Sequence, residues 1–238
     1  MNIALIFAGG TGQRMNSASS PKQFLNLHGK PILIYTLECF DSNEEIDEIV
    51  VVCLDGWIDY LEKKIQQFGI SKVSAVIPGG ETGFKSIQNG IFYLGERYEK
   101  ETTVLIHDGV RPLVSDETIG KCVASVAQHG SAITVSPAIE TIMTGHGGTV
   151  NAILNRSDTL IARAPQCFAL GDILNAHRQA ESEDREDFID SASLMTEYGA
   201  SLHYVEGNID NIKITTPADF YIFRAMVDAH ENAQIFGI

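Results

Sequence analysis

Five short apolar runs rich in β-branched residues punctuate the first half of the chain: Ile3 to Phe7, Ile49 to Cys53, Val73 to Ile77, Val104 to Ile106 and Ala132 to Val135. Each predicts a strand. The segments between them have helical period. Phe84, Ile87, Ile91 and Leu94, for example, fall at i, i+3, i+7 and i+10, which puts all four on one face. Strands alternating with helices imply an α/β fold with a mostly parallel sheet covered on both faces, and ligands of such sheets gather beyond the carboxyl ends of the strands.

The alternation breaks after Val135. From Pro137 to about Arg163 the chain is rich in Thr, Ile and Gly, with a turn signal at Gly145-His146-Gly147-Gly148, which predicts a projecting β-hairpin arm. Helices are expected near Leu170 to Ala180 and Ile189 to Tyr198, with Gly199 just past the second. Strands are expected at Ser201 to Val205 and Asn211 to Ile214, then a last helix opened by Thr216, Pro217 and Asp219. No repeat or linker divides the chain, so residues 1–238 are expected to form one domain with an arm at about 137–163.

Composition narrows the partners. A formal net charge of −14 argues against nucleic acid and anionic membranes, both of which need a basic surface. The N-terminal apolar run is too short for a secretory segment, so the cytosol is expected. Cys39, Cys53, Cys122 and Cys167 are widely spaced, without metal-binding or redox pattern, and are expected as buried reduced thiols.

Candidate chemistry lies at three places. The first strand runs into Ala8-Gly9-Gly10-Thr11-Gly12-Gln13-Arg14-Met15, followed by Pro21-Lys22-Gln23. Glycines there let the backbone approach a ligand and aim N–H groups at phosphate oxygens, and Arg14 and Lys22 add two permanent cations. The loop lacks the Gly-Lys-Ser/Thr ending of a Walker A motif, and Met15 stands where a dinucleotide fingerprint has its third glycine. At the end of the fourth strand, Asp108 in His107-Asp108-Gly109-Val110-Arg111-Pro112 either holds magnesium against phosphates or orders its own loop. Lys213, between Ile212 and Ile214, either reaches a phosphate or extends to solvent. The remaining histidines, His28, His177 and His230 among them, are expected at the surface or in loops, the acidic run Glu181 to Asp187 as a solvated loop, and Trp57 as packing.

Ala8-Gly9-Gly10-x-Gly12-x-Arg14-Met15, Pro21-Lys22-Gln23, Gly79-Gly80, His107-Asp108-x-x-Arg111-Pro112, Asn155-Arg156, Pro165-Gln166 and Asp210 to Lys213 together resemble a family of cytidylyltransferases. Its two branches act on 2-C-methyl-D-erythritol 4-phosphate and on D-ribitol 5-phosphate. The resemblance spans residue 1 to about 228 and implies a Rossmann-like nucleotidyltransferase fold, transfer of CMP from CTP, and a homodimer in which each arm closes the partner's site. Carried over, it implies that Ala8, Gly9, Gly10, Gly12, Arg14 and Lys22 hold the CTP phosphates. Gly80 and Ser86 lie near the cytosine ribose, and Asp108 serves Mg²⁺. Arg156 and Lys213 face the acceptor phosphate, while Thr141 and Arg111 reach across the dimer; Arg14, Lys22 and Lys213 are the catalytic cations.

The chain departs from the family pattern at Gly83, where an Arg is common, and at Ala164, where a Thr is common. The run Pro21 to Glu38 and the Ala-Gly-Gly start are nearer the ribitol branch. The methylerythritol branch, or another polyol or sugar phosphate of surface-polysaccharide synthesis, stays open as the acceptor. An inactive nucleotide-binding regulator on the same fold is the alternative outside enzymes. The joint presence of Arg14, Lys22, Asp108 and Lys213 argues against it, because a sensor has no need of groups aimed at a transition state.

Overall fold

A computed structural model of the chain describes residues 1–10 and 20–236. The elements run β1 (Asn2–Ala8), β2 (Asn26–Leu27), β3 (Lys30–Pro31), α1 (Ile32–Asp41), β4 (Glu48–Cys53), α2 (Ile58–Gln67), β5 (Val73–Pro78), α3 (Gly83–Gly95), β6 (Thr103–Asp108) and α4 (Asp116–His129). There follow β7 (Ser131–Pro137), β8 (Met143–His146), β9 (Thr149–Ile153), β10 (Leu160–Ala169), α5 (Leu170–Ser182), α6 (Ser191–Glu197), β11 (Tyr204–Glu206) and α7 (Pro217–Phe236).

Seven strands form one sheet in the order β11-β7-β10-β6-β1-β4-β5. All run parallel except β10, which is antiparallel to both β6 and β7. The predicted Rossmann-like α/β architecture is therefore present, with one antiparallel strand in its middle. Side-chain alternation along β1 explains why its sequence is apolar from Ile3 to Ala8. Ala4, Ile6 and Ala8 pack in the cluster with α1, α2 and α4, while Ile3 and Leu5 pack in the cluster with α3, α5 and α6. Both faces are buried, so no polar position is left.

Helix starts follow their side chains. Thr82 accepts from the Lys85 N–H at the start of α3, Ser115 from that of Thr118 at α4, and Asp190 from that of Ser193 at α6. At α7 the Asp219 carboxylate accepts from the N–H groups of Thr215 and Thr216, 2.8 and 2.7 Å away, and Thr216 Oγ1 accepts from Asp219 N at 3.4 Å. This reciprocal pairing is the expected capping box.

The arm exists as the separate hairpin β8–β9. Its two-residue turn, Gly147-Gly148, has φ of 60° and 83°, the left-handed pair that matches strand twist. Four expectations need correction. The strand expected from Ser201 is Tyr204–Glu206, one residue longer at its end and three shorter at its start. Asn211 to Ile214 is not a strand; it is extended but pinned by side chains, as described below. The arm segment does not end at Arg163, because β10 continues from Leu160 into the sheet. His177 is not at the surface: it is buried on α5, at the same face as Leu170, Ile173 and Leu174. Trp57 packs as expected, stacked on Phe24 at 4.6 Å. All four cysteines are free, and Cys53, Cys122 and Cys167 are buried.

Candidate active site

The carboxyl ends of β1, β4, β5 and β6 meet where three of the motifs converge. Gly109 N–H donates to Phe7 O at 3.0 Å, and Gly79 N–H to Cys53 O at 2.7 Å, which tie the strand ends together. Gly9 has no room for a side chain: a Cβ there would lie 2.5 Å from Ser86 Oγ. That hydroxyl in turn accepts from Gly80 N–H at 3.1 Å and donates to Thr82 O at 2.9 Å, so the first-strand loop and the start of α3 are fitted to one another. Gln23, buried, adds a clamp that the sequence did not single out: its Nε2 donates to Ala8 O at 2.6 Å and Gly10 O at 3.2 Å. Lys22 opens a 3-10 turn beside it. Gly12 and Arg14 lie outside the described residues.

Asp108 ends β6 with its side chain only 8% exposed. Lys213 Nζ lies 2.6 Å from its Oδ1, and Arg111 Nε donates to its Oδ2 at 2.8 Å. Burial pushes the Asp108 carboxyl up, but Lys213 and Arg111 outweigh it and hold the group down at about 2, so it is ionised at any physiological pH. Neither open reading of these residues stands alone. Asp108 does order its own loop through Arg111, and it also anchors Lys213, whose side chain is 40% exposed toward the site.

The segment that carries Lys213 is held by side chains, not by a ladder. Arg111 Nη1 and Arg163 Nη1 both donate to Asn211 O, at 3.0 and 3.3 Å, and Asn211 Nδ2 donates to Ala164 O at 2.6 Å. Ile214 N–H closes it onto Val110 O at 2.9 Å. Arg111 is thus held within its own chain, with its side chain 10% exposed.

Asp108, Arg111, Arg163 and Lys213 line a cavity of about 300 Å³ together with Phe84, Ala164, His177, Phe188 and Ile189. His107, behind Asp108, donates from Nε2 to Arg111 O at 3.1 Å, and burial pushes its pKa down to about 4. His177 is likewise pushed down to about 4, by burial and then by Lys85. Thr141 and Arg156 are exposed on the arm side of the molecule and do not line the cavity; Arg156 donates from Nη1 to Ile139 O at 3.4 Å. The acidic run is more than solvated loop. Arg185 within it binds Asp187 and Glu197, stacks over Phe188 at 4.7 Å, and so fixes one wall of the cavity.

The sequence also missed Arg163, His177 and Asn211. His177 carried a signal, since it continues the i, i+3, i+4, i+7 row Leu170, Ile173, Leu174. Arg163 carried none, because its position depends on how β10 enters the sheet.

A carboxylate held ionised by two cations, on the strand-end edge where a glycine-rich loop also begins, is suited to polyphosphate chemistry. The comparisons agree. Residues 2–229 match the family described as IspD: 2-C-methyl-D-erythritol 4-phosphate cytidylyltransferase. A ribitol-5-phosphate cytidylyltransferase of Vibrio parahaemolyticus is 52% identical over 238 residues, covering 100% of both chains. A 2-C-methyl-D-erythritol 4-phosphate cytidylyltransferase of Clostridium botulinum is 38% identical over 222 residues, covering 93% of this chain and 95% of that one. Among solved structures, the 2-C-methyl-D-erythritol 4-phosphate cytidylyltransferase of Francisella tularensis superposes with a TM-score of 0.75 at 27% identity, covering 93% of this chain and 98% of that one. With that match along nearly its whole length, the chain belongs to the IspD family of cytidylyltransferases.

Proposed function

We propose that this enzyme transfers the cytidylyl group of CTP to D-ribitol 5-phosphate, releasing pyrophosphate and forming CDP-ribitol. The observation that carries the acceptor is the 52% identity, end to end, with a protein named for ribitol 5-phosphate, against 38% with one named for methylerythritol phosphate.

The acceptor's phosphate oxygen attacks the α-phosphorus of CTP, one P–O bond forms, and the bond to the leaving pyrophosphate breaks. A phosphate monoester is largely dianionic at pH 7, so no general base is required. Positioning and charge neutralisation remain. In this reading Ala8, Gly9, Gly10 and Lys22 hold the CTP phosphates with Gly12 and Arg14, and Gly80 and Ser86 shape the ribose end. Lys213 sits where the incoming phosphate meets the α-phosphorus, its ammonium oriented by Asp108. Arg111 keeps that carboxylate in place.

Mg²⁺ fits this donor set in one way. Asp108 is ionised, but each oxygen already meets a cation, and the other cavity carboxylate, Asp190, is taken up by Gln166 and the Ser193 N–H. The protein thus offers one carboxylate, and nucleotide phosphates and water must complete the sphere. When bound, the ion neutralises charge on the triphosphate.

A homodimer accounts for Thr141 and Arg156, which are exposed and do not line the cavity formed by the described residues. The arm exposes Ile139, Met143, Val150 and Ile153, apolar side chains that a partner would cover. No helix among the described residues is long and apolar enough to cross a membrane, and a cytosolic place suits the use of CTP.

Pyrophosphate release with D-ribitol 5-phosphate and each of CTP, UTP, ATP and GTP, with and without excess EDTA, tests the reading. CTP and metal dependence are expected; equal turnover with ATP, or full activity in EDTA, would refute it.

A further inference from the structure

Arg163 is a cation that the cavity wall holds without a counter-charge. Its Nε donates to Ser136 Oγ at 3.1 Å and its Nη1 to Asn211 O at 3.3 Å, both neutral acceptors. It takes part in no ion pair among the described residues. The nearest charge that perturbs it is another cation: burial and then Arg111 lower its pKa. A chain with 31 Asp and Glu against 17 Lys and Arg has carboxylates to spare, and Asp108 and Asp190 line the same cavity, yet neither pairs with Arg163. A partly buried guanidinium beside a like charge is costly unless an anion joins it.

The backbone aims it there. β10 pairs with β7 through Ala162↔Val135 and again through Gln166↔Ile133, so Arg163, Ala164 and Pro165 stand opposite Thr134 alone. This irregularity takes the three residues out of the ladder, and Arg163 and Ala164 line the cavity that Asp108 and Lys213 also line. Asn211 O, shared by Arg111 and Arg163, sets the spacing of the two guanidinium groups.

We propose that Arg163 is a substrate-binding residue that receives the acceptor's phosphate monoester, supplied by the same chain that carries Asp108 and Lys213. This rests on the reading that the cavity takes a phosphorylated acceptor. Arg111, Lys213 and Arg163 against Asp108 and Asp190 leave the cavity lining with a net positive charge to meet an anion. The planar fork suits phosphate oxygens, and Arg163 still has donors that meet no partner among the described residues. Ala164, with no hydroxyl, leaves that wall to the arginine.

The test is a titration with inorganic phosphate, the nucleotide site being filled with the α,β-methylene analogue of CTP, alongside steady-state kinetics with D-ribitol 5-phosphate. Arg163→Gln is expected to weaken phosphate binding by about tenfold to a hundredfold. It should raise the acceptor KM similarly and leave the KM for CTP unchanged. Arg163→Lys, which keeps the charge without the fork, should fall between; if Arg163→Gln does not fold, Arg163→Lys carries the test, and an unchanged acceptor KM in it overturns the proposal. A folded Arg163→Gln protein with wild-type phosphate affinity also overturns it. Wild-type protein that binds phosphate through Arg163 but does not turn over D-ribitol 5-phosphate would refute the acceptor and leave the arginine's assignment standing.

Discussion

Lys213 Nζ and Asp108 Oδ1 lie 2.6 Å apart, which joins the end of a central parallel strand to the extended segment leading into the last helix. The pair is lopsided, with the carboxylate 8% and the ammonium side chain 40% exposed. Asp108 is therefore the fixed member and Lys213 the one free to meet a ligand.

Removing the fixed member should disturb both fold and chemistry. Asp108→Asn leaves Arg111 and Lys213 without the carboxylate that pairs with them, and loss of one partner from a buried pair costs about 3 kcal/mol or more. A lower Tm is expected, partly restored by phosphate, together with a fall in kcat of about 10²- to 10³-fold. Wild-type Tm and kcat in this variant would contradict the role given to Asp108.

Acid should weaken the fold in two stages. Burial lowers His107 and His177 to about 4 from 6.5, so the unfolded chain takes up their protons first, and stability falls as pH drops through that window. Asp108, whose partners outweigh burial and hold it at about 2, contributes stability above about pH 4 that is lost only as pH falls further toward 2. A Tm series from pH 7.5 to 4.5 should decline, less steeply in His177→Phe. An identical slope in that variant would show that His177 is not buried neutral.

Gly9 and Ser86 should behave as one unit. In Gly9→Ala the new methyl would meet Ser86 Oγ at 2.5 Å, while the next contact, Ser86 Cβ, lies at 3.3 Å. Such overpacking costs about 1–3 kcal/mol. Adding Ser86→Ala removes the clashing atom, so the double variant should be more stable than Gly9→Ala alone, by denaturant titration. Additive losses would mean that the two residues do not touch.

The fold was legible wherever pairing is local or burial is two-sided. Val50 to Cys53 and Val104 to Ile106 are apolar throughout because helices cover both faces of the sheet. β10 was not legible beyond its arm end, since an antiparallel strand inserted between β6 and β7 owes its place to long-range pairing, and Pro165 interrupts its pattern. Arg163 was lost with it. At Lys213 the residue type showed the chemistry, an ammonium between two isoleucines, but the expected strand was wrong because side chains of Arg111, Arg163 and Asn211 replace the ladder.

The arm's role can be read by complementation. If Arg156 serves the partner's site and Lys213 its own, Arg156→Ala and Lys213→Ala proteins are each nearly inactive, and mixing them regenerates an intact site in the heterodimer. Light scattering should give a dimer of the 26.0 kDa chain. A monomer at micromolar concentration, or mixtures no more active than their components, would exclude an arm that acts across the dimer.

The acceptor is the central claim, and direct competition tests it. With limiting CTP and equal concentrations of D-ribitol 5-phosphate and 2-C-methyl-D-erythritol 4-phosphate in one reaction, the products are resolved by mass. CDP-ribitol is the predicted major product, and a majority of CDP-methylerythritol, or consumption of neither acceptor, would contradict the account.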